Sequence, residues 1–257
     1  RFTAKVLTTK DSPEAGFLTA AKKVLRISNL KPKDVDFIIH GTTLATNAII
    51  ERKGAKTALL TTDGFTDSLE IAYEHRFEQS DLFMERPKPL VPRHLRLGIK
   101  ERIAADGSIL IPLDMRSVEE AVVKCREEKV EAIAIGFLHC YANDEHEKSV
   151  KSFIRKTLPD VPISISSQVS PEIREYDRLS TTVANAYILP LMKTYLENLG
   201  AALVKQGFSA PLLLMMSSGG MTTLETAKTL PIRLVESGPA GGAILSRIIS
   251  AECGLPQ

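Results

Sequence analysis

The stretch "HGTTLATNAII", residues 40–50, places imidazole, hydroxyl and amide side chains directly after the apolar run "VDFII". A helix that starts here uses one capping side chain, whereas Thr42, Thr43, Thr46 and Asn47 offer four polar groups. Ligands of open α/β sheets bind at the carboxyl ends of the strands. We therefore predict that this turn forms a polar wall of a ligand site.

Three other turns have the same character, and they read "TTDGF", "HCYAND" and "SSGGM". In each, the sequence predicts that the carboxyl end of a parallel strand meets the start of a helix, where free N–H groups and hydroxyls converge. Capping and turn formation alone explain any single one of them. Four such turns on one edge of one sheet favour a pocket.

Two histidines stand near each other in the third of these turns. His139 ends a predicted strand, and His146 follows between Glu145 and Glu147. A turn that folds the two histidines together would let them bind a metal or exchange protons. Their spacing is not the i, i+4 pair of a zinc-binding helix. A solvated helix start also explains the acidic residues, and we therefore name no metal ligand.

The segment "ESGPAGGAILS", residues 236–246, gathers small residues around the start of a predicted helix, namely Ser237, Gly238, Gly241 and Gly242. Small residues permit the close approach of another helix or of a nucleotide. Helix packing without any ligand is the simpler interpretation. The segment is not a P-loop, because no Gly-Lys-Ser/Thr sequence follows the glycines.

Strands and helices alternate around these turns, which predicts βαβ units and a largely parallel sheet in an α/β fold. The sequence predicts a strand at residues 1–9 and a helix from Ser12-Pro13 to Asn29. Further strands are predicted in "VDFIIH", "TALLTT", "EAIAIGFL", "PISISS" and "PLLLMM". These strands would bring the turns to the edge of the sheet.

The region from Phe77 to Asp114 departs from this alternation, and it contains a predicted hairpin around Asp106-Gly107. The next helix is predicted to begin at a Ser117 cap, with Glu120 at the capping-box position. A long helical stretch is predicted to break near Pro190. We place a domain boundary near residues 168–174.

The composition favours a globular protein with a small partner. The chain has 257 residues, 44% of them hydrophobic, and a net charge of +2, which gives no electrostatic reason to expect nucleic acid or an acidic membrane. No segment reaches the ~20 apolar residues of a membrane helix. Cys125, Cys140 and Cys253 form neither a zinc pattern nor a disulfide framework, which favours the cytoplasm. Neither Cys140 nor Ser218 has a recognisable catalytic partner in the sequence.

Both ends of the sequence are abrupt. The chain starts at Arg1 with a strand pattern, and it stops after a helix ended by Gly254 and Pro256, where an α/β pattern next supplies a strand. We expect the chain to be an interior part of a longer protein.

Several segments, taken in order, resemble the hydantoinase A/5-oxoprolinase family, and in particular ATP-dependent N-methylhydantoinase-like subunits. They are "HGTTLATNAIIERKGAKTALLTTDGF", "RPKPLVPRHLRLGIKERI", "FLHCYANDEHE", "EIREYDRLSTTVANAYILP", "SSGGM" and "ESGPAGG". The resemblance implies a ribonuclease-H-like fold of the actin, sugar kinase and heat-shock chaperone superfamily. It divides the chain into an N-terminal region, 1–170, and the start of the hydantoinase A/oxoprolinase domain, 171–257.

The resemblance also implies an activity. Such proteins use ATP and Mg²⁺ to open a cyclic amide such as a hydantoin, N-methylhydantoin or 5-oxoproline, often with a second, hydantoinase B-like subunit. Ketone carboxylases and ATP-regulated chaperones or reactivases share the architecture and remain alternatives. The two phosphate-binding hairpins of the superfamily are absent from this sequence, so we expect residues 1–257 alone to lack ATPase activity.

Within the fold that the resemblance implies, we assign separate roles to the polar turns and to the small-residue motif. We expect Thr42, Thr43, Thr46, Asn47 and Asp63 to face the substrate or phosphate side of the ATP cleft. The resemblance implies that residues 237–242, with Ser237, Gly238, Gly241 and Gly242, start a connecting helix that packs between domains. The catalytic residues stay unassigned.

Overall fold

The computed structural model describes residues 1–9, 12–74 and 78–255. Two compact units are present: unit 1 comprises Arg1–Ile50 and Leu191–Gln257, and unit 2 comprises Glu51–Pro190. The division at residues 1–170 and 171–257 stays a prediction. Phe77 and Pro256, which entered the sequence interpretation, lie outside the described residues.

The helices and strands follow one another in a mixed α/β order. They are α1 (Pro13–Ser28), β1 (Ile38–His40), α2 (Leu44–Ile50), β2 (Thr57–Thr62), α3 (Ser68–Ile71), β3 (Arg96–Ile99), β4 (Arg102–Ile103), β5 (Ile109–Ile111) and α4 (Met115–Glu127). They continue with β6 (Ala132–Gly136), α5 (Glu145–Thr157), β7 (Ile163–Ile165), α6 (Ser166–Val169), α7 (Glu175–Lys205), β8 (Leu212–Met215), β9 (Met221–Thr223), α8 (Leu224–Thr229) and α9 (Ser237–Glu252). No helix in the described ranges is both long enough and apolar enough to cross a membrane.

Unit 1 contains a three-stranded sheet in the order β1-β8-β9. Strand β1 runs parallel to β8, with Ile38 opposite Leu212, and β9 runs antiparallel to β8. Helix α1 begins with Pro13 in its first turn and ends before Asn29, which adopts a left-handed φ of 57°. The structure confirms the helix bounds predicted from the Ser12-Pro13 start and the Asn29 end.

Unit 2 contains a parallel sheet in the order β3-β2-β6-β7. All residues of β2 and β6 are buried, as expected for central strands of a parallel sheet with both faces covered. The core combines strand and helix side chains, including Leu59, Leu60, Ile133, Ile135, Val118 and Ile154. The apolar runs "TALLTT" and "EAIAIGFL" therefore predicted the central strands correctly.

The hairpin predicted around Asp106-Gly107 is present as β4 and β5. Gly107 has a positive φ of 86°, a conformation that a turn of this kind requires and that glycine adopts without strain. The Asp106 carboxylate accepts hydrogen bonds from the backbone and the hydroxyl of Ser108. The local turn chemistry was sufficient to locate this element.

The first strand predicted from the sequence does not form. Residues 1–9 carry no strand pairing, and most of them are exposed. Thr9 instead contacts the start of α1, where its hydroxyl oxygen accepts a hydrogen bond from Gly16 N at 3.1 Å. An alternating pattern becomes a strand only where a neighbouring strand offers hydrogen-bond partners.

The predicted start of α4 at a Ser117 cap is also wrong. The helix begins at Met115, and the side chain of Asp114, rather than Ser117, caps it by accepting from Arg116 N at 3.0 Å. Ser117 lies inside the helix, where its hydroxyl donates to the Asp114 carbonyl at 2.6 Å. Asp and Ser both cap helices well, and the residue that caps α4 is Asp114, three positions before Ser117.

Helix α7 continues through Pro190, contrary to the predicted break. Proline supplies no N–H and disturbs the preceding turn of a helix. The carbonyl that lacks its usual helical donor is that of Ala186, four residues before the proline. The neighbouring Tyr187 carbonyl accepts a hydrogen bond from Ala55 N at 2.8 Å.

Candidate functional site

The turn "HGTT" lies at the carboxyl edge of the sheet of unit 1. Strands β1 and β8 are parallel, so the turn after β1 and the "SSGG" turn after β8 share this edge. The second turn joins β8 to the antiparallel strand β9 and is therefore a hairpin, not the predicted strand-to-helix turn. Gly219 in this hairpin has a positive φ of 82°.

Two of the four polar side chains in the first turn have structural hydrogen bonds. The hydroxyl oxygen of Thr42 accepts from the backbone N of Leu44, the first residue of α2, at 3.2 Å. The hydroxyl oxygen of Thr46 accepts from Glu236 N at 3.3 Å. Glu236 directly precedes α9 and has a left-handed φ of 64°. Thr46 therefore fixes the start of α9.

The other two side chains, Thr43 and Asn47, are exposed. The Asn47 side-chain amide donates to the Thr43 hydroxyl at 3.4 Å, and Asn47 N donates to the Thr43 carbonyl at 2.8 Å. The pair retains hydrogen-bonding capacity that the fold itself does not use. Within unit 1, the structure thus brings Thr42, Thr43, Thr46 and Asn47 together and leaves Thr43 and Asn47 facing solvent.

His40, at the end of β1, contacts Tyr195 of α7. The His40 Nε2 atom lies 2.7 Å from the Tyr195 hydroxyl, and the Phe17 ring packs edge-on against the imidazole at 5.0 Å. Burial lowers the pKa of His40 from 6.5 to about 4. Burial also raises the pKa of Tyr195 to about 12. Both side chains are therefore uncharged at neutral pH.

Acidification is expected to destabilise the fold through His40. Its folded-state pKa is lowered, so the stabilising contribution of the neutral ring is complete above pH 6.5 and is lost as the pH falls towards 4. Between pH 8 and pH 5 the linked loss is about 2 kcal/mol of unfolding free energy. Urea unfolding at both pH values should show a smaller difference for His40→Gln, whereas His94→Gln, at an exposed histidine, should retain the wild-type difference. Equal pH dependence of all three proteins would contradict the assignment.

The "TTDG" turn lies at the carboxyl end of β2 in unit 2. Asp63 N donates to the Ile99 carbonyl at 2.9 Å, and Gly64 has a φ of 83°. The exposed Asp63 carboxylate lines a cavity of about 300 Å³ together with Lys100 and Arg102. A Cβ atom at Gly98 would lie 2.5 Å from Asp63 Oδ1, so glycine leaves room for the carboxylate.

The sequence predicted that the four polar turns lie on one sheet, and this prediction is wrong. "HGTT" and "SSGG" belong to the sheet of unit 1, whereas "TTDG" and "HCYAND" follow β2 and β6 of unit 2. Thr42, Thr43, Thr46 and Asn47 are therefore in one unit and Asp63 in the other. The ligand-facing role of these five residues stays a prediction.

The two histidines of the third turn have different partners. His139 Nδ1 lies 2.9 Å from the Ile103 carbonyl oxygen, and His146 Nδ1 lies 2.8 Å from Glu101 Oε2. Thr62 donates its hydroxyl hydrogen to the other oxygen of Glu101. Across the described ranges, no group of three or more His, Cys, Asp or Glu residues is placed to hold a metal.

His146 and Glu147 are buried, which corrects the interpretation of "NDEHE" as a solvated helix start. Glu147 Oε1 accepts from the Ser166 hydroxyl at 2.7 Å and from Phe137 N at 3.2 Å. Glu147 Oε2 accepts from Ser167 N at 2.9 Å. The carboxylate thereby satisfies donors from the segments that follow β6 and β7.

A sequence signal for this burial existed and was missed. Val150 and Ile154 are buried on α5, three and seven residues after Glu147, which is the spacing of one helix face. Glu147 therefore belongs to the apolar stripe of an amphipathic helix. A carboxylate on such a stripe requires hydrogen-bond donors in the core.

Cys140 is a buried thiol rather than a nucleophile. Its Sγ lies 2.9 Å from the Ser166 hydroxyl oxygen. Burial, reinforced by the charge of Glu147, raises the pKa of Cys140 to about 12. The thiolate is the reactive form of cysteine, so Cys140 has little nucleophilic character near neutral pH.

The small residues of α9 have different surroundings. Ser237 is buried, and a Cβ atom at Gly241 would lie 3.1 Å from Met215 Sδ, so glycine allows close packing against the end of β8. Apart from neighbouring residues of the helix itself, no described atom lies within 4 Å of a Cβ built at Gly238 or Gly242. The connecting-helix role of these residues stays a prediction.

Family models cover most of the sequence. The model of the hydantoinase/oxoprolinase N-terminal region matches residues 2–158, and the hydantoinase/oxoprolinase model matches residues 178–255. The chain belongs to the hydantoinase/oxoprolinase family. This membership confirms the resemblance found in the sequence motifs.

Two curated members of the hydantoinase/oxoprolinase family illustrate its range of activities. The chain is 41% identical over 209 residues to caprolactamase subunit alpha of Pseudomonas jessenii, covering 80% of this chain and 30% of that protein. It is 30% identical over 272 residues to the acetophenone carboxylase gamma subunit of Aromatoleum aromaticum, covering 99% of this chain and 37% of that protein. The chain thus spans about a third of the length of these relatives.

A solved structure in the hydantoinase/oxoprolinase family has the same fold. The crystal structure of ATP-dependent caprolactamase from Pseudomonas jessenii superposes with a TM-score of 0.88 at 33% identity, covering 100% of this chain and 39% of that one. The mixed α/β fold is the ribonuclease-H-like fold of actin-type ATPases, as the sequence motifs implied.

Proposed function

We propose that the full-length protein hydrolyses a cyclic amide, of the hydantoin, N-methylhydantoin or 5-oxoproline type, in an ATP-dependent reaction. The observation that carries the proposal is the exposed pair Thr43 and Asn47 at the carboxyl edge of the sheet of unit 1. Open α/β sheets bind ligands at this edge. Membership in a family that contains an ATP-dependent caprolactamase supports the reaction type.

The reaction requires activation of a stable amide. ATP, when bound, supplies a phosphoryl group that turns the amide oxygen into a leaving group. The Thr43 hydroxyl and the Asn47 amide would donate hydrogen bonds to developing negative charge. The residues fit this role, because each is exposed and keeps free hydrogen-bonding capacity.

Asp63 would hold Mg²⁺. Protein sites for this ion use one or two carboxylates, and phosphate oxygens and water complete the coordination. The exposed Asp63 carboxylate would supply one such ligand, at a cavity of unit 2 that Lys100 and Arg102 also line. In unit 1, Thr42 and Thr46 would complete the polar wall at the carboxyl edge of the sheet while keeping their structural hydrogen bonds.

We also propose a second, hydantoinase B-like subunit and a cytoplasmic location. Support for the subunit comes from the relatives, which are named as the alpha subunit of caprolactamase and the gamma subunit of acetophenone carboxylase. Support for the location comes from three free cysteines, two of them buried, in a fold without a disulfide among the described residues.

An ATP-dependent ketone carboxylase is the second candidate. Its specific support is the 30% identity to the acetophenone carboxylase gamma subunit, which extends over 99% of the chain. A carboxylase also activates a carbonyl oxygen but forms a carbon–carbon bond in place of attack by water. The same polar wall would serve either reaction.

ATP turnover by the full-length protein with its partner subunit separates these candidates. We expect phosphate release that depends on a hydantoin, N-methylhydantoin or 5-oxoproline. Turnover that depends instead on a ketone with bicarbonate would establish the carboxylase. Stimulation by a client protein alone would contradict both enzymes and favour an ATP-regulated chaperone or reactivase.

A further inference from the structure

Unit 2 contains a second cavity, of about 540 Å³, whose walls come from the segments that follow β2 and β6 and from the start of α7. The term arginine-tyrosine cavity is used for this space, which is lined by Phe65, Tyr73, Arg102, Arg174 and Tyr176. The residues to which the proposed hydrolysis assigns a role do not line it. A separate use of this surface is therefore open.

The charges of the arginine-tyrosine cavity favour an anionic partner. Among the described residues, neither Arg102 nor Arg174 forms an ion pair with a carboxylate. Glu175, the acidic residue of the wall, has its Oε1 atom 4.0 Å from Arg178 Nη2. The Arg102 guanidinium lies 4.9 Å from the Phe65 ring centroid, a contact that leaves its N–H donors available.

Exposed apolar side chains at this cavity favour a polypeptide partner over an enclosed small molecule. Phe65, Ile71 and Tyr73 line the cavity and are 37%, 49% and 44% exposed. The Tyr73 and Tyr176 rings meet edge-on with centroids 4.9 Å apart. Small-molecule sites bury most of the ligand surface. A surface that combines exposed aromatic side chains with arginine is typical of protein interfaces.

A buried arginine holds two walls of the cavity together. Arg178 is fully buried in α7, and its guanidinium donates to the Ile173 carbonyl at 3.1 Å and to the Phe137 carbonyl at 3.2 Å. Ile173 directly precedes Arg174, and Phe137 follows β6. The start of α7 and the segment after β6 are therefore ordered relative to each other. A surface that is ordered before binding loses less conformational entropy on association.

The same unit displays a loop whose chemistry complements the cavity. The term Leu82 loop is used for residues 80–85, "SDLFME". Leu82 and Phe83 are 86% and 90% exposed. Asp81 and Glu85 place a carboxylate on each side of these apolar residues, and Glu85 forms no ion pair with a described residue. Neighbouring large apolar side chains with this exposure are typical of interaction sites.

The Leu82 loop contains a turn and lies beside the cavity. Asp81 Oδ1 accepts from Phe83 N at 2.9 Å, which fixes a turn within the loop. Arg86, the residue after the loop, donates from Nη1 to the carbonyls of Glu70 and Ile71 at 3.3 Å and 3.4 Å. Ile71 lines the cavity. The loop and the cavity are therefore neighbours on the surface of unit 2.

We propose that the arginine-tyrosine cavity of one molecule binds the Leu82 loop of a second copy of this chain. Arg102 and Arg174 form charge-assisted hydrogen bonds with the carboxylates of the loop, and the apolar side chains of the loop pack on the exposed rings. Because loop and cavity are neighbours on one molecule, a single two-fold rotation brings both loop–cavity pairs into contact. The proposal concerns assembly through unit 2 and does not depend on the proposed hydrolysis or on the proposed second subunit.

A peptide probe measures this interaction without relying on the other contacts of the full-length protein. The probe is a fluorescein-labelled peptide of residues 79–86, and the receptor is the full-length protein with Leu82→Ser and Phe83→Ser, whose own loop no longer competes. Both substituted positions are exposed, so the receptor keeps its fold. We expect the peptide to bind about 10-fold or more tightly than a peptide with the same two substitutions, as fluorescence anisotropy measures. Absence of binding, or equal binding of both peptides, would overturn the proposal.

Substitutions in the receptor locate the binding. Arg102→Gln and Arg174→Gln are each expected to weaken binding of the native peptide by about 10-fold. Arg155→Gln is the matched control, because Arg155 is exposed on α5 and does not line the cavity. Unchanged affinity in both cavity variants, with unchanged far-ultraviolet circular dichroism, would contradict the assignment.

Photocrosslinking shows which copy supplies the loop. Full-length protein with Phe83→p-benzoylphenylalanine is mixed with isotopically heavy wild-type protein, irradiated and digested for mass spectrometry. We expect crosslinks from position 83 to heavy peptides that contain residues of the cavity wall, and we expect Arg174→Gln in the heavy protein to reduce them. Crosslinks confined to peptides of the same copy would show that the loop binds its own cavity and would overturn the second copy as the occupant. Crosslinks that avoid the cavity wall would overturn the site.

Discussion

Thr43→Ala and Asn47→Ala in the full-length protein are each expected to lower the turnover number about 100-fold or more, with little change in melting temperature. Both side chains are exposed at the carboxyl edge of the sheet of unit 1, and the fold uses neither of them fully. A donor to a charged transition state acts on the rate, whereas an exposed side chain contributes little to folding. Steady-state kinetics and thermal melting on the same preparations provide the measurement.

Thr223→Ala is the matched control for this experiment. Thr223 caps α8 in the same unit, where its hydroxyl oxygen accepts from Thr226 N at 3.3 Å. Its loss is expected to cost about 1 kcal/mol of stability and to leave turnover unchanged. If Thr43→Ala and Asn47→Ala also melt earlier and turn over normally, the "HGTT" turn is structural.

Glu147→Ala is expected to lower the free energy of unfolding by about 3 to 5 kcal/mol. The Glu147 side chain is fully buried and accepts hydrogen bonds from Phe137 N, the Ser166 hydroxyl and Ser167 N. Truncation leaves these donors without their partner, at about 1 to 3 kcal/mol for each buried donor that stays unsatisfied. Urea unfolding followed by circular dichroism measures the loss, which corresponds to a melting temperature lower by roughly 10 °C.

Glu145→Ala provides the comparison at the same helix start. Glu145 is exposed in the first turn of α5, and its removal is expected to change stability by less than about 0.5 kcal/mol. A similar small effect for both substitutions would show that the Glu147 carboxylate does not support the core of unit 2.

Features set by neighbouring residues could be predicted from the sequence. The central strands follow from continuous apolar runs, the β4-β5 hairpin from Asp106-Gly107, and the ends of α1 from Pro13 and Asn29. Each depends on residues a few positions apart. The strand predicted at residues 1–9 failed because a strand also depends on a distant partner, and a periodic pattern does not reveal whether one exists.

In the candidate site, too, the sequence predicts what neighbouring residues determine and misses what distant residues determine. A surplus of polar groups at residues 42–47 was visible in the sequence, because it requires only a count against one helix cap. The sequence did not show that Thr46, unlike Thr43 and Asn47, has a structural role, because Thr46 accepts its hydrogen bond from Glu236, which is far away in the sequence. The pairing of His146 with Glu101 likewise joins elements distant along the chain.

The hydrogen bond from Glu236 N to Thr46 links the start of α9 to α2 within unit 1. Glu236 holds a left-handed conformation, so its N–H direction is closely restricted. Asn47 lies on α2 and contacts Thr43. A single hydrogen bond therefore joins the first turn of the small-residue helix to the helix that carries part of the polar turn.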